Sequence, residues 1–151
     1  MQTVREYGQR DPPVITAFLD SNVILKYLRG EGASSRLFDS SFRTRVRLTT
    51  SPIVLQELFA AAEIRRRPEL LDQLQRQLMI IPVDFLRSAH ILERVSDLRN
   101  RMAHSNDVLN FGSAGECDYF VTYDKDYSAV ALEDRPKVVT PDQLLHEIAG
   151  K

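Results

Sequence analysis

Residues 14–26 read VITAFLDSNVILK. A largely apolar run, Val14 to Leu19, stops at Asp20, and a new apolar pattern starts at Val23. A short apolar run ended by a polar residue has the character of a buried strand, and a strand buried on both faces in a parallel sheet shows no alternation. Val23, Ile24, Tyr27 and Leu28 then recur at helical spacing. Asp20 therefore stands where a core strand hands over to a helix. Two roles compete for it: Asp is a favoured helix N-cap, and the carboxyl ends of strands in open α/β sheets are where ligands bind. This stretch alone leaves the two balanced.

Working outward, residues 1–13 form a polar lead closed by Pro12-Pro13, and residues 14–151 are expected to form a single domain. After the first helix, which Gly30 and Gly32 stop, Ala33 to Ser40 reads as a short helix. Arg43 to Thr50 reads as an extended segment. Ser51-Pro52 is a strong helix start, with Ser as N-cap and Pro in the first turn. The helix it opens carries Ile53, Val54, Glu57, Leu58, Ala61 and Ala62 and runs toward Pro68; another spans Glu69 to Gln77. Leu78 to Val83, LMIIPV, reads as a third, buried strand. Phe85, Ala89, Leu92, Val95, Leu98 and Met102 then keep helical spacing. Ser105-Asn106 caps a helix from Asp107 to about Gly115. Asp118 to Thr122 is a fourth strand, Tyr123 to Asp126 a turn, Lys137 to Val139 a fifth strand, and Pro141 opens the last helix. Strands alternating with helices predict an α/β fold of three layers, with helices on both faces of a central, mostly parallel five-stranded sheet.

Composition narrows the function. With 43% apolar and 27% charged residues the chain has the make-up of an ordinary globular domain. No stretch approaches a membrane span, and the polar start lacks the apolar core of a signal peptide. The single Cys117 allows no internal disulfide, which fits a reducing, cytoplasmic setting. A net charge of −1 offers no global field for a polyanion. The basic residues nevertheless cluster, as Arg43, Arg45 and Arg47 and as Arg65, Arg66 and Arg67. A solvated face is the common meaning of such runs, but Arg also suits bidentate phosphate contacts.

Four carboxylates sit at element boundaries. Asp20 follows the first strand, Asp124 follows the fourth, Asp107 lies in the first turn of a helix, and Glu57 lies one and a half turns into another. In a parallel sheet all strand carboxyl ends, and the helix starts after them, share one edge. Each acid has an ordinary explanation: the helix macrodipole for Asp107, an Asx-turn for Asp124. Glu57 resists one, because Ile53, Val54, Ala60 and Ala61 surround it and no basic residue stands within four positions. Carboxylates gathered on one edge raise each other's pKa values, and a divalent cation resolves the conflict. Oxygen-only ligands select Mg²⁺ or Mn²⁺ over Zn²⁺. His90, His104 and His146 have no zinc-site spacing with Cys117.

The order of these pieces resembles the PIN domain, the fold of VapC-type toxin ribonucleases and related RNA-processing nucleases. Four segments carry the resemblance: FLDSNVIL (18–25), TTSPIVLQEL (49–58), NDVLNFGSAGECDYFVTYDKDY (106–127) and VVTPDQLL (138–145). It implies that Asp20, Glu57, Asp107 and Asp124 are metal-binding catalytic acids, with Asn22 and Thr122 supporting them or positioning substrate. Asp126 is held in reserve as an outer neighbour of the metal. The implied activity is Mg²⁺-dependent hydrolysis of RNA, with Mn²⁺ as a substitute. The implied partners are RNA, a small antitoxin covering the acidic cleft, and a second copy in a homodimer. Two features depart from the family pattern: Asn110 and Gly112 stand where relatives carry an apolar, Ala-rich helix, and the lead is long.

Other functions compete. A non-catalytic PIN fold serving as an RNA-binding or scaffold module would lose acids, and all four are present. A phosphoacceptor receiver domain would use Asp84 after the third strand and Thr122 after the fourth. It would also need paired acids after the first strand and Lys after the fifth, where Ser21 and Thr140-Pro141 stand. For the arginines, the extended segment 43–47 is expected to put three side chains on one face near the catalytic edge. Arg65 to Arg67 are expected two to three turns beyond Glu57 on its own helix. Either set would bind RNA phosphates flanking the cut.

Overall fold

The computed structural model describes residues 14–94, 105–130 and 135–151. Its framework is a five-stranded sheet with every neighbouring pair parallel, built from β1 (Ile15–Leu19), β2 (Val46–Thr50), β3 (Met79–Ile80), β4 (Tyr119–Val121) and β5 (Lys137–Val139) in the order β3-β2-β1-β4-β5. The order of a receiver-type sheet is 2-1-3-4-5, so the topology excludes that alternative. Asp84, its required acceptor, is exposed and accepts the backbone N–H of Arg87 at 2.9 Å.

Nine α-helices join the strands among the described residues. Between β1 and β2 lie α1 (Ser21–Leu28), α2 (Gly32–Leu37) and α3 (Ser40–Arg43). Between β2 and β3 lie α4 (Pro52–Phe59), α5 (Ala62–Arg66) and α6 (Glu69–Gln77). Then come α7 (Phe85–Arg94) and α8 (Ser105–Ser113), and finally α9 (Pro141–Ala149) after β5. The two faces of the sheet can be read from its aromatic residues. Phe18 and Phe120 are register partners and stack at 5.2 Å, and Phe111 of α8 packs on Phe120 from above. Tyr119 points the other way, under Lys151, two residues past the last helix. Helices α7 and α8 pack together on the first side; α1, α2 and α9 pack on the second, and α4 reaches both α1 and α8. The expected three layers are therefore present.

Three sequence expectations need correction. Leu78–Val83 is not a buried strand: β3 keeps two residues, and Met79 and Ile80 are 41% and 37% exposed because they pair only with β2 at the sheet's edge. The segment from Arg43 is not extended until Val46; buried Phe42 pulls the preceding residues into the short α3, so Arg43 ends a helix and Arg45 lies in the turn. The helix bearing Glu57 ends at Phe59. Ala61 takes extended backbone, and α5 starts afresh so that Ile64 can reach the core. Val95, Leu98 and Met102 lie outside the described residues. Residues 1–13 do as well.

One glycine has a steric task. A Cβ at Gly112 would meet the side chain and backbone of Ser88 on α7. Gly112 is what lets α7 and α8 approach so closely, which explains one of the two departures noted above.

Candidate active site

The carboxyl edge of the sheet collects the acids. Asp20 ends β1 and is 4% exposed. It is at once the N-cap of α1, accepting Ser21 N–H at Oδ1 (2.8 Å), and the centre of a second network through Oδ2. Thr122 Oγ1, just past β4, donates to that oxygen at 2.8 Å. Asn22 Nδ2 reaches the same oxygen at 3.4 Å and Thr122 Oγ1 at 3.2 Å. Asn22 Oδ1 in turn accepts Tyr123 N–H at 3.2 Å. The two central strands are thus tied at their ends by residues 100 positions apart, as neighbours in a parallel sheet must be. Thr122 Oγ1 also accepts the N–H of Asp124 at 3.0 Å, which fixes the turn carrying that acid.

Glu57 enters from α4. Its Oε1 accepts from Asn110 Nδ2 at 3.4 Å, and Asn110 Oδ1 accepts from Ser51 Oγ at 2.8 Å. Ser51 also caps α4 by accepting Val54 N–H at 3.2 Å. Asp107 enters from the first turn of α8, its Oδ1 held by the hydroxyl of buried Tyr127 at 3.0 Å.

Charge follows this geometry. Burial, reinforced by the negative charges of Glu57 and Asp107, pushes the Asp20 carboxyl up to about 7, against the opposing pull of the Thr122 and Ser21 hydrogen bonds. Burial also pushes the Tyr127 phenol well above its usual range, with Asp20, Asp107 and Glu57 adding to it. Tyr127 therefore remains a neutral donor. The charges of Glu57 and Asp107 both reach Asp20, and the hydrogen bonds that Asp20 accepts from Ser21, Asn22 and Thr122 come from neutral groups.

Asp124 shares the edge but behaves differently. Its Oδ1 accepts Asp126 N–H at 2.9 Å, the Asx-turn that its sequence context allowed. Among the described residues no three acid, His or Cys side chains are gathered tightly enough to enclose an ion. In kind, the donor set fits a hard divalent cation: carboxylate oxygens, mutually repelling, with one held in a desolvated setting.

The predicted arginines lie elsewhere. Thr16 pairs with Arg47 and Ile15 with Val46, so Arg43, Arg45 and Arg47 belong to the amino edge of the sheet, opposite Asp20. Arg45 is bonded to the Lys151 carbonyl at 2.9 Å. Arg65, Arg66 and Arg67 are exposed on and after α5, and Arg67 pairs with Glu69. Lys26 of α1 stands over Tyr123, its Nζ 4.3 Å from the centre of that ring.

Sequence reasoning missed Ser51, Asn110 and Tyr127. Asn110 carried a signal, since it broke the apolar pattern expected of its helix.

A PIN domain family model matches residues 17–149, nearly the whole described chain. The chain belongs to the PIN domain family. Its fold is similar to VapBC2 from Rickettsia felis, solved bound to a DNA fragment from its promoter, with 16% identity, TM-score 0.65, and coverage of 83% of this chain and 98% of that one. It is also similar to VapBC-1 from nontypeable Haemophilus influenzae (15% identity, TM-score 0.63, covering 85% and 99%). DNA-bound VapBC from Salmonella typhimurium gives 16% identity and TM-score 0.60, covering 85% and 99%. No curated protein matches the chain. At such identities the solved structures speak for the PIN fold alone. No helix among the described residues is long and apolar enough to cross a membrane.

Proposed function

We propose that this PIN domain is a divalent-metal-dependent endoribonuclease, acting in the cytoplasm as the toxin of a VapBC-type pair. PIN domains are generally nucleases that use divalent metal ions. The observation that carries the proposal for this chain is the buried Asp20 carboxyl, raised chiefly by its burial, with the charges of Glu57 and Asp107 adding to the shift, and hydrogen-bonded by neutral groups. An acid kept in that setting favours either a proton or a cation. Asp20, Glu57 and Asp107 would hold the ion, with Asp124 as the fourth acid and Mg²⁺ or Mn²⁺ as the species. Bound there, the ion supplies positive charge against the phosphodiester and an activated water.

The chain's own groups set the geometry. Thr122 Oγ1 fixes one Asp20 oxygen and Asn22 steadies it. Asn110 orients Glu57, and the Tyr127 hydroxyl orients Asp107. Addition of water across the phosphodiester yields a 5′-phosphate and a 3′-hydroxyl. Lys26, held over the ring of Tyr123, which precedes Asp124, would offer a positive charge to an approaching phosphate. The VapBC structures support an antitoxin as partner, because an acidic cleft on a nuclease needs covering when the enzyme must be silent. A homodimer belongs to the same proposal.

The test is cleavage of single-stranded RNA with Mg²⁺, Mn²⁺, or chelator, using wild-type protein and Asp20→Asn. Metal-dependent cleavage lost in Asp20→Asn is the expected result. RNA binding without cleavage under any metal would instead assign a non-catalytic RNA-binding module. Sedimentation of the purified chain reads its oligomeric state.

A further inference from the structure

The amino edge of the sheet contains a cleft of about 500 Å³ lined in part by Arg43, Arg47, Arg76, Val14 and Met79. Arg43 reaches it from the end of α3, Arg47 from β2 and Arg76 from the last turn of α6. Three separate elements thus bring three arginines to one concavity. Arg43 is steadied there by its bond to the Gln77 carbonyl at 3.2 Å. None of the three forms an ion pair among the described residues, and Asp72, one turn before Arg76 on α6, does not pair with it. Val14 and Met79, each 41% exposed, supply an apolar wall.

We propose that this cleft is a second nucleic-acid site, binding a backbone phosphate of single-stranded RNA through Arg43, Arg47 and Arg76, with Met79 and Val14 against the adjoining base. Uncompensated guanidinium groups repel one another, and an anion between them removes that cost. Arg offers the forked geometry a phosphate accepts, and the apolar wall suits a base, which a small inorganic anion or an acidic side chain would leave unused. Along β1 the register separates this cleft from Asp20 by four residues, roughly 13 Å at 3.3 Å per residue. It is therefore an exosite, able to hold RNA beyond the nucleotides at the cut. The choice of RNA as ligand rests on the nuclease proposal, while the binding measurement below needs no cleavage.

The experiment titrates a fluorescein-labelled single-stranded oligonucleotide of about 12 nucleotides into Asp20→Asn protein across a salt series, so that failure of catalysis leaves it readable. Replacing Arg47 and Arg76 together by Gln should weaken binding several-fold and make the plot of log K against log salt shallower by about 0.7 per lost phosphate contact. The Arg47→Lys/Arg76→Lys pair should keep most of the slope. Arg65→Gln/Arg66→Gln, exposed arginines on α5, should change neither quantity as much. Equal losses in the α5 pair would overturn the site in favour of a diffuse charge effect. Unchanged affinity and slope in Arg47→Gln/Arg76→Gln would overturn it outright, as would retained RNA binding accompanied by weakened binding of a protein partner. Since Arg47 and Arg76 are exposed, loss of folding is not expected; a variant in Met79→Ser, read by affinity for the same oligonucleotide at unchanged slope, tests the apolar wall separately.

Discussion

The two edges of the sheet carry opposite charge by opposite means. At the carboxyl edge, acids are drawn inward and pinned by hydrogen bonds between segments far apart in sequence: Asn22 to Thr122, Asn110 to Glu57, Tyr127 to Asp107. At the amino edge, arginines stay exposed, and Arg43 alone of the three in the cleft is tied, to a backbone carbonyl. The difference lies in what solvent does for each group. A buried carboxylate must be fully partnered or it changes protonation, whereas an exposed guanidinium keeps its hydration and needs no fixed partner. Substitutions at the first edge should therefore be felt strongly and specifically, and those at the second weakly and through salt.

The largest effect expected is on catalysis. Asp20→Asn should lower RNA cleavage by about a thousandfold, the equivalent of several kcal/mol of transition-state stabilisation by the ion it helps hold. The fold should survive, because Asn can still cap α1. Equal rates for the variant and wild type would break the contrast between the edges at its strongest point.

Next comes stability against pH in metal-free protein. The folded Asp20 carboxyl sits at about 7, above the ordinary value of 3.8. The folded state thus holds this proton more tightly than the unfolded chain does. The contribution of Asp20 to stability should be greatest below pH 4, fall as pH rises from about 4 to 7, and level off above 8. The difference attributable to Asp20 is up to about 4 kcal/mol. Thermal melts between pH 5 and 8 should show the decline in wild type and a much flatter profile in Asp20→Asn. Adding Mg²⁺ should raise the melting temperature more at pH 8 than at pH 5, since proton and cation compete for the same oxygens. A wild-type profile that rises through this window would contradict the burial argument.

How much of this was legible beforehand follows from the range of the interactions. The strand-to-helix break at Asp20, the Ser51-Pro52 start of α4 and the Pro141 start of α9 are local signals, and each stands where the sequence puts it. Parallel pairing then brings the strand-end acids to one edge as a matter of topology. What could not be read was pairing across long separations. Glu57 lacked any basic neighbour within four residues, and its partner proves to be Asn110, 53 positions on. The placement of the arginines was hidden for another reason. Residues 43–47 alternate as a strand would, but buried Phe42 makes the first of them helical. Arg43 and Arg45 precede β2 and Arg47 is its second residue, and the start of a parallel strand lies at the amino edge, away from the acids. The exposure of β3 was hidden too, since an apolar pair on an edge strand reads like one in a core.

Asn110→Ala sharpens the comparison at a smaller scale. It leaves the Glu57 carboxylate without its amide donor and removes the acceptor for the Ser51 hydroxyl, in a place where Asn110 and Ser51 are fully buried. A stability loss of about 1–3 kcal/mol is expected from the unsatisfied groups. Cleavage should fall by about 10–100-fold, the usual scale when a group orienting a metal ligand is removed. Ser51→Ala separates the two roles. It removes the α4 cap and the Asn110 contact but leaves the Asn110 amide free to hold Glu57, so it should cost stability with a lesser effect on rate. Equal effects on rate would mean that Asn110 acts only as core packing.

The smallest effect belongs to the amino edge. Arg47→Gln and Arg76→Gln remove exposed side chains that form no ion pair among the described residues. Their combined effect on stability should stay within about 0.5 kcal/mol, as for other surface substitutions away from packed or paired groups. Its sign is informative. With Arg43 beside them in the cleft, removing two like charges relieves repulsion, so the variant should melt slightly above wild type at low salt. Salt screens exposed charges beyond about 10 Å at 0.1 M, so the two melting curves should converge as salt is added. The same titration on Asp20→Asn should behave otherwise: its gain over wild type arises in a buried space that salt screens poorly, and should persist at high ionic strength. If instead the arginine pair lowers the melting temperature by several degrees at all salt concentrations, those side chains are part of the packing, and the two edges differ in sign of charge but not in the way they are built.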